Sequence, residues 1–491
     1  MLHLTKIIDN KISIENFVKN KVNISGVTNN SRLAKKGMLF VAIRGNKNDG
    51  LNYLGEAIKK GISAVLVSSD IKRKIDIENI NLLKSTNIRL SVSRIAKVFY
   101  PKQPKNIVAV TGTNGKTSIL HYLKYIWKKN NYKYSSIGTY GIQYDNITKE
   151  TNLTTPDPII LHKEIQSLKN KKIDNLVMEA SSHAIHQHRL DSIKINCAIF
   201  TNLTRDHMDY HINMENYFQC KKRLFTEILE KKGLAIVNTD KKYGKLIKQA
   251  CIKKNIKCVT YGYSECDWKL LEVKRKNNFS EVKVKNKDKI YQFSCRLFSS
   301  YQIENLIAAL IVAKEQGMPL KKIFNTLIKI KNPEGRLDKI NDVSRKKLSI
   351  FIDYAHSPNS LENSLKELKK IKREGSSLIL LFGCGGDRDQ GKRIHMAKVA
   401  NAFADVIYIT DDNPRTENPS HIRKQLSQIC KKSINIGNRR KAINAAIKSM
   451  KKEDILLIAG KGHEKFQEIG NRKIPFSDKT VVKEALIRKR V

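Results

Sequence analysis

The chain has 491 residues, and at about 150 residues per domain that length predicts three domains rather than one. Hydrophobic residues make up 40% and charged residues 28%, enough apolar material for several cores, which excludes wholesale disorder. The 93 basic and 46 acidic side chains leave +47, but the lysines are spread through every region beside abundant Ile and Asn; this reads as a decorated surface rather than a polyanion groove, and no nucleic-acid partner is expected.

The first residues, Met1 to Asp9, hold no long apolar run or small-residue cleavage site, and no stretch reaches the ~18 apolar residues of a membrane span. A soluble, cytoplasmic protein is expected. Apolar runs at 37–43 and 62–68 flank a helix-like segment at 53–60, giving strand, helix, strand. Pro101 and Pro104 interrupt the pattern and place a boundary there. Buried-strand signals follow at 107–110, 176–179, 197–200 and 234–237, in the rhythm of a mostly parallel sheet. An apolar helix at 303–314 ends near Gly317, and 331–335 form a second boundary. Beyond it the strands 348–353, 378–382, 406–409 and 455–458 restart the rhythm, as in a nucleotide-binding sheet. The eight cysteines have no C-x-x-C and no His partner at zinc-finger spacing, so they read as reduced thiols of an intracellular protein.

The strongest local signal runs from Val108 to Ser118, a strand entering a glycine-rich loop and then a helix. Gly112 and Gly115 let backbone N–H groups converge on phosphate oxygens, Lys116 neutralises charge, and the Thr117 hydroxyl suits magnesium. The eight-residue P-loop would need glycine at Val110, so this is a shortened variant. Two further strands lead into Glu179-Ala180-Ser181-Ser182-His183 and Thr204-Arg205-Asp206-His207, loops rich in carboxylates and imidazoles. Lys221 reads by pattern as one more lysine on a helix surface. In the last third, four loops after apolar strands carry Asp353-Tyr354-Ala355-His356, Gly385-Gly386-Asp387-Arg388, Asp412-Asn413-Pro414-Arg415 and Gly460-Lys461-Gly462-His463-Glu464. They are expected to gather on one sheet edge. Arg388 and Arg415 present forked guanidinium groups suited to a carboxylate, which points to an amino-acid-like substrate.

Taken in order, these motifs resemble the Mur ligases of bacterial cell-wall (peptidoglycan) synthesis, over essentially the whole chain. The resemblance implies an α/β fold of three domains: residues 1–102 binding the UDP end of the substrate, residues 103–333 forming a central parallel-sheet, P-loop-like ATPase, and residues 334–491 forming a Rossmann-like domain for the amino acid. It implies that Gly112, Thr113, Asn114, Gly115, Lys116, Thr117 and Ser118 hold ATP together with Asn305, Arg336 and Asp353. Magnesium would be held by Thr117, Glu179, His207 and Lys221, the last as a carbamylated lysine, and Lys116 and Lys221 would be the catalytic residues. The set is most similar to members that add meso-diaminopimelate to UDP-N-acetylmuramoyl-L-alanyl-D-glutamate. For that nucleotide substrate the matching positions are Asn29, Ser31, Asn46, Lys47, Asn48, Thr154, Thr155, Ser181, Gln187 and Arg189. For diaminopimelate they are Arg388, Asp412, Asn413, Pro414, Arg415, Gly460 and Glu464. The chain departs from the family pattern at Asn30, Leu153 and Ser299-Ser300-Tyr301-Gln302.

The implied reaction is attack of a glutamyl carboxylate on ATP, giving an acyl phosphate that the diaminopimelate amine then displaces. His356 is read as structural rather than catalytic, and a monomer is expected. Three other readings fit parts of the pattern: a folylpolyglutamate synthetase, disfavoured by Asp412-Asn413-Pro414-Arg415; a nucleic-acid-binding NTPase; and a lysine-specific ligase, which would leave Arg415 without its second carboxylate.

Overall fold

The computed structural model describes residues 1–16, 22–45, 48–71, 75, 77, 79–276, 279–340 and 348–488. The chain forms two compact units, the first from residues 1–112, 123–200 and 219–260, the second from residues 113–122, 201–218 and 261–491.

In the first unit, a five-stranded sheet has the order Ile12–Asn16, Asn81–Ser85, Ala64–Ser68, Leu39–Val41, Val27–Thr28, with only its first strand antiparallel. Side chains alternate across it: Leu39, Val41 and Leu66 enter one core, Phe40, Val65 and Val67 the other. The helix expected at 53–60 is a 3-10 turn, Gly50–Tyr53, running into Leu54–Lys59. The Asp49 carboxylate starts that turn by accepting from Leu51 N at 3.0 Å.

The same unit holds strands ordered Ile147–Lys149, Gly141–Tyr144, Tyr134–Gly138, Asn175–Glu179, Asn106–Thr111, Ile195–Phe200, Leu229–Asn238. The last five pair in parallel and the first two close an antiparallel edge. Ile107, Val108, Ala109 and Val110 are all buried, as they must be in a parallel sheet covered on both faces. Parallel pairing puts Thr111, Glu179 and Phe200 at the same edge, the carboxyl ends where such sheets bind ligands.

The second unit contains an antiparallel meander that strand-helix rhythm did not signal: Trp268–Arg275, Ser280–Asn286 and Lys289–Cys295. Its middle strand buries Val282 and Val284 and turns Lys283 and Lys285 outward, a period of two. The helix Ser300–Glu315 buries every residue from Asn305 to Ala313, so it is a core helix rather than an amphipathic one.

The carboxy-terminal sheet is ordered Asp338–Ile340, Ser349–Asp353, Ile455–Ala459, Leu378–Phe382, Val406–Ile409, Ile434–Asn435, parallel but for the first strand. Leu380, Phe382 and Leu457 pack with Leu361, Leu365, Met396 and Leu426 on one face; Ile379, Leu381 and Ile458 pack with Ile443, Ile447 and Val482 on the other. Each side chain so buried contributes roughly 1.5–3 kcal/mol, and both faces are satisfied. The loops leaving Asp353, Phe382, Ile409 and Ala459 therefore emerge at one edge. Among the described residues no helix is long and apolar enough to cross a membrane.

Candidate functional site

The boundary between the units falls inside the glycine-rich loop, after Gly112. Gly115 has φ +92°, and a Cβ there would collide with the side-chain oxygen of Asn305, so glycine is what lets that amide approach the loop. The segment after the strand Ile195–Phe200 clamps the loop: Thr113 N donates to Asn202 O at 2.9 Å, Asn114 N to Asn202 Oδ1 at 3.0 Å, Thr201 Oγ1 to Asn114 O at 2.6 Å and Thr204 N to Thr113 Oγ1 at 3.0 Å. Lys116 opens the helix and folds back, donating to Thr113 O at 2.8 Å, while Ser118 is buried one residue beyond Thr117. Arg336 donates to Thr117 Oγ1 at 3.2 Å and lies 4.4 Å over the Tyr354 ring. Its Nε, like Asn114 Nδ2, is buried with no hydrogen-bond partner among the described residues. Two spare donors beside a hydroxyl fit an anionic ligand such as a polyphosphate.

Asp353 ends its strand in a buried position, accepting from Ser364 Oγ at 2.7 Å and from Ala355 N at 3.1 Å. Burial pushes its carboxyl up to about 6, against the pull of those bonds and of Arg336. Asp206 behaves oppositely: burial opposes its charge, but His207, His356 and Lys392 outweigh it and hold the carboxyl at about 2. His207 is partly exposed and left-handed, with φ +56°.

The residues implied for magnesium are divided between the units. Thr117 and His207 belong to the second. Glu179 and Lys221 belong to the first, each only 1% exposed. Glu179 Oε1 accepts from Thr139 N at 2.9 Å, and Lys221 Nζ donates to Gly112 O at 3.0 Å. The pattern reading of Lys221 as a surface residue is overturned: its helix, Met214–Arg223, turns this side chain into the interior, where an ammonium loses its hydration.

Four positions implied for the nucleotide substrate meet in the first unit. Thr155 Oγ1 donates to Glu179 O at 2.6 Å and lies 3.3 Å from Ser181 Oγ. Arg189 donates to Thr155 O at 2.6 Å and to Gln187 Oε1 at 2.7 Å. Thr154 is half-buried beside them. Arg89, which the motifs did not single out, reaches the same Gln187 at 3.4 Å and Arg44 O at 3.2 Å; no periodic or motif signal marks it. Ser31 is buried and donates to Glu56 Oε2 at 2.6 Å, whereas Asn29 and Asn48 are exposed. Asn46 and Lys47 lie outside the described residues. At the departing position, Asn30 Oδ1 accepts from Arg32 N at 3.0 Å, the capping role an aspartate would serve equally. Gln302, at another, takes the Tyr122 hydroxyl at 2.9 Å and neighbours Asn305 at 3.4 Å.

In the second unit, six of the seven positions implied for diaminopimelate form one network. Asn413 N donates to Asp412 Oδ1 at 2.8 Å, and Asn413 Nδ2 to Glu464 Oε2 at 3.0 Å. Gly460 has φ +112°, and a Cβ there would strike the Asp412 carboxylate. Pro414 O lies so close to Gly386 that a side chain there is excluded, and Arg415 donates to Gly386 O at 2.7 Å while pairing with Glu468 at 2.8 Å. Arg388 is exposed and outside this network. Two cations here carry no implied role: Lys461, fully buried between Asn413 and Glu464, and Arg439, buried in a two-pronged pair with Asp478 at 2.8 Å. Lysine and arginine are so common in this chain that neither stood out.

Three family models match the chain: the Mur ligase family catalytic domain over residues 23–100, the Mur ligase middle domain over residues 110–313, and the Mur ligase glutamate ligase domain over residues 335–462. The chain belongs to the Mur ligase family. It is 38% identical over 469 residues to the UDP-N-acetylmuramoyl-L-alanyl-D-glutamate--2,6-diaminopimelate ligase of Rickettsia montanensis, covering 94% of this chain and 96% of that one. To the protein of the same name from Rhizobium meliloti it is 37% identical, over 95% and 94%. A solved structure of a ligase of that name superposes with a TM-score of 0.66 at 29% identity, covering 95% and 96%. The fold is shared by the MurF ligase of Thermotoga maritima solved with ADP, at 16% identity, a TM-score of 0.63 and coverage of 94% and 96%.

Proposed function

We propose that this protein is an ATP-dependent ligase that joins meso-diaminopimelate to UDP-N-acetylmuramoyl-L-alanyl-D-glutamate in peptidoglycan-precursor synthesis. The observation that carries the reading is its likeness, along nearly the whole of both chains, to ligases named for those two substrates. The network around Asp412-Asn413-Pro414-Arg415 supports it chemically. Diaminopimelate differs from lysine by a second carboxylate, and Arg415 is a forked cation able to take that group in two parallel bonds.

The free glutamyl carboxylate oxygen attacks the γ-phosphorus of ATP, the bond to the bridging oxygen breaks, and ADP leaves. The diaminopimelate nitrogen then attacks the acyl carbon of the acyl phosphate, phosphate departs and the nitrogen loses a proton. Two anions must approach in the first step, so the loop amides of residues 112–118 and Lys116 act by neutralising charge and aligning the transfer. Asn305, Arg336 and Asp353 complete the nucleotide site in this reading. Magnesium, when bound, supplies Lewis-acid stabilisation of the transferring phosphoryl group. The hydroxyl of Thr117 and the carboxylate of Glu179 each suit such a hard cation, and a carbamate on the buried Lys221 amine would give that side chain anionic oxygens of the same kind. 13C NMR of the folded enzyme in 13C-labelled bicarbonate is expected to show a carbamate carbon signal that Lys221→Ala lacks; no such signal at any bicarbonate concentration overturns that assignment. A UDP-linked substrate and ATP suit a reaction in the cytoplasm.

The decisive assay is product mass after incubation with ATP, magnesium, the UDP-muramoyl dipeptide and each candidate diamino acid. One diaminopimelate residue is expected to be added per ATP consumed, with no response to DNA or RNA. No ATP consumption when both building blocks are present sinks the reading.

A further inference from the structure

The diamino acid network contains a cation that no motif assigns. Lys461 is 0% exposed, and its Nζ lies 2.9 Å from Asn413 Oδ1 and 2.7 Å from Glu464 Oε2. Asn413 Oδ1 also accepts from Glu468 N at 3.0 Å, which leaves Asn413 Nδ2 to donate to Glu464. A lysine can only donate, so its presence dictates which end of the Asn413 amide faces it. The side chain thus bonds Asn413 of one loop and Glu464 of its own, and ties the two loops together. Gly460, immediately before it, is the residue packed on the Asp412 carboxylate.

We propose that Lys461 is a positioning residue for the amino-acid substrate: it locks the Asn413 amide in one orientation and keeps Glu464 an anion aimed at the incoming ammonium group. The proposal rests on the reading of the preceding subsection for what the substrate is. The charge balance explains why such a residue is needed. Glu464 faces Asp412, Tyr354 and Arg439 as well as Lys461. Burial lifts its carboxyl above the usual range and Asp412 adds to the lift, while Lys461 opposes both. Without the buried cation, burial and the charge of Asp412 act on Glu464 unopposed by Lys461 and favour its protonated form, and a neutral Glu464 cannot form an ion pair with an ammonium.

The test compares Lys461→Met, which keeps the unbranched stem, with Lys461→Arg and Glu464→Gln in the full-length enzyme. For Lys461→Met, KM for diaminopimelate is expected to rise about 30-fold while KM for ATP and for the UDP-muramoyl dipeptide stays within about twofold. The acid limb of kcat/KM for diaminopimelate should move up by about one pH unit or more, because the carboxylate now ionises later. Lys461→Arg should restore most of the pH profile, and Glu464→Gln should abolish the limb's response to Lys461→Met in the double variant. An unmoved limb, or all three KM values rising together with a falling Tm, overturns the proposal and leaves Lys461 a packing residue. If the wild-type enzyme itself fails to ligate diaminopimelate, the functional reading falls first and this assignment with it, an outcome separable from a wild type that ligates and a variant whose limb stays in place.

Discussion

The glycine-rich loop and the Asp412–Arg415 loop both follow buried apolar strands, yet they are made of different materials. Around Thr113 and Asn114 the bonds join amides, carbonyls and hydroxyls, and Lys116 donates to a carbonyl three residues earlier. Around Asn413 the charges are already matched: Lys461 with Glu464, Arg415 with Glu468, Arg439 with Asp478. The difference follows from what each proposed ligand brings. A triphosphate carries dense negative charge, so a mainly neutral cradle with Lys116 and Arg336 as its cations suits it. A zwitterion presents both signs, and buried charges that await it alone would be costly unless paired in advance.

The comparison breaks most visibly at Lys116. Replacing it by Ala is expected to lower kcat by about 10^3-fold with Tm nearly unchanged, since the bond it loses is local. A fall of less than about tenfold would mean that the neutral cradle suffices without the cation. Arg415→Ala comes next: kcat/KM for diaminopimelate should drop by about 10^2-fold while the weaker turnover of L-lysine changes little. Equal losses for the two amino acids would show that Arg415 merely braces the loop through Glu468 and Gly386.

Smaller effects sharpen the same contrast. Asp353 has a folded pKa of about 6, raised by burial above its ordinary value of 3.8. A carboxyl shifted upward holds its proton more tightly in the folded state, so its contribution to stability is lost as pH rises from about 4 to 6 and stays lost above. Asp353→Asn should therefore match wild type near pH 4 and melt about 3 °C higher at pH 8, at a cost in ATP affinity. A variant that is less stable at pH 8 contradicts this. Asn202→Ala removes a neutral clamp from Asn114 N, and one such bond is worth about 1 kcal/mol, so KM for ATP should rise about fivefold in a titration of rate against nucleotide.

The patterns that could be read in advance were local ones. Runs such as Ile107–Val110 and Leu378–Phe382 announced buried parallel strands because both faces of such a strand are apolar, and the glycines of the loop announced close backbone approach. The meander at 268–295 went unannounced, since its alternation of valines and lysines is diluted by a chain already full of lysine. Likewise Arg89 gave no signal: it reaches Gln187 across 98 positions, a proximity no window of neighbouring residues contains.

The order of apolar runs, glycines and charged loops is written along the chain, because hydrophobic period and backbone freedom act over a few residues. Family membership follows from that order. What packing alone decided is which of many chemically identical side chains leave water. The chain carries 71 lysines; nothing adjacent sets Lys221 apart, and the loop around Lys461 does not tell that its side chain is buried. Lys221 is buried by the Gly112 carbonyl 109 positions away and Lys461 by Asn413 48 positions away. Burial is a property of distant partners brought together, and it changes a surface cation into one that must be paired, modified or put to use.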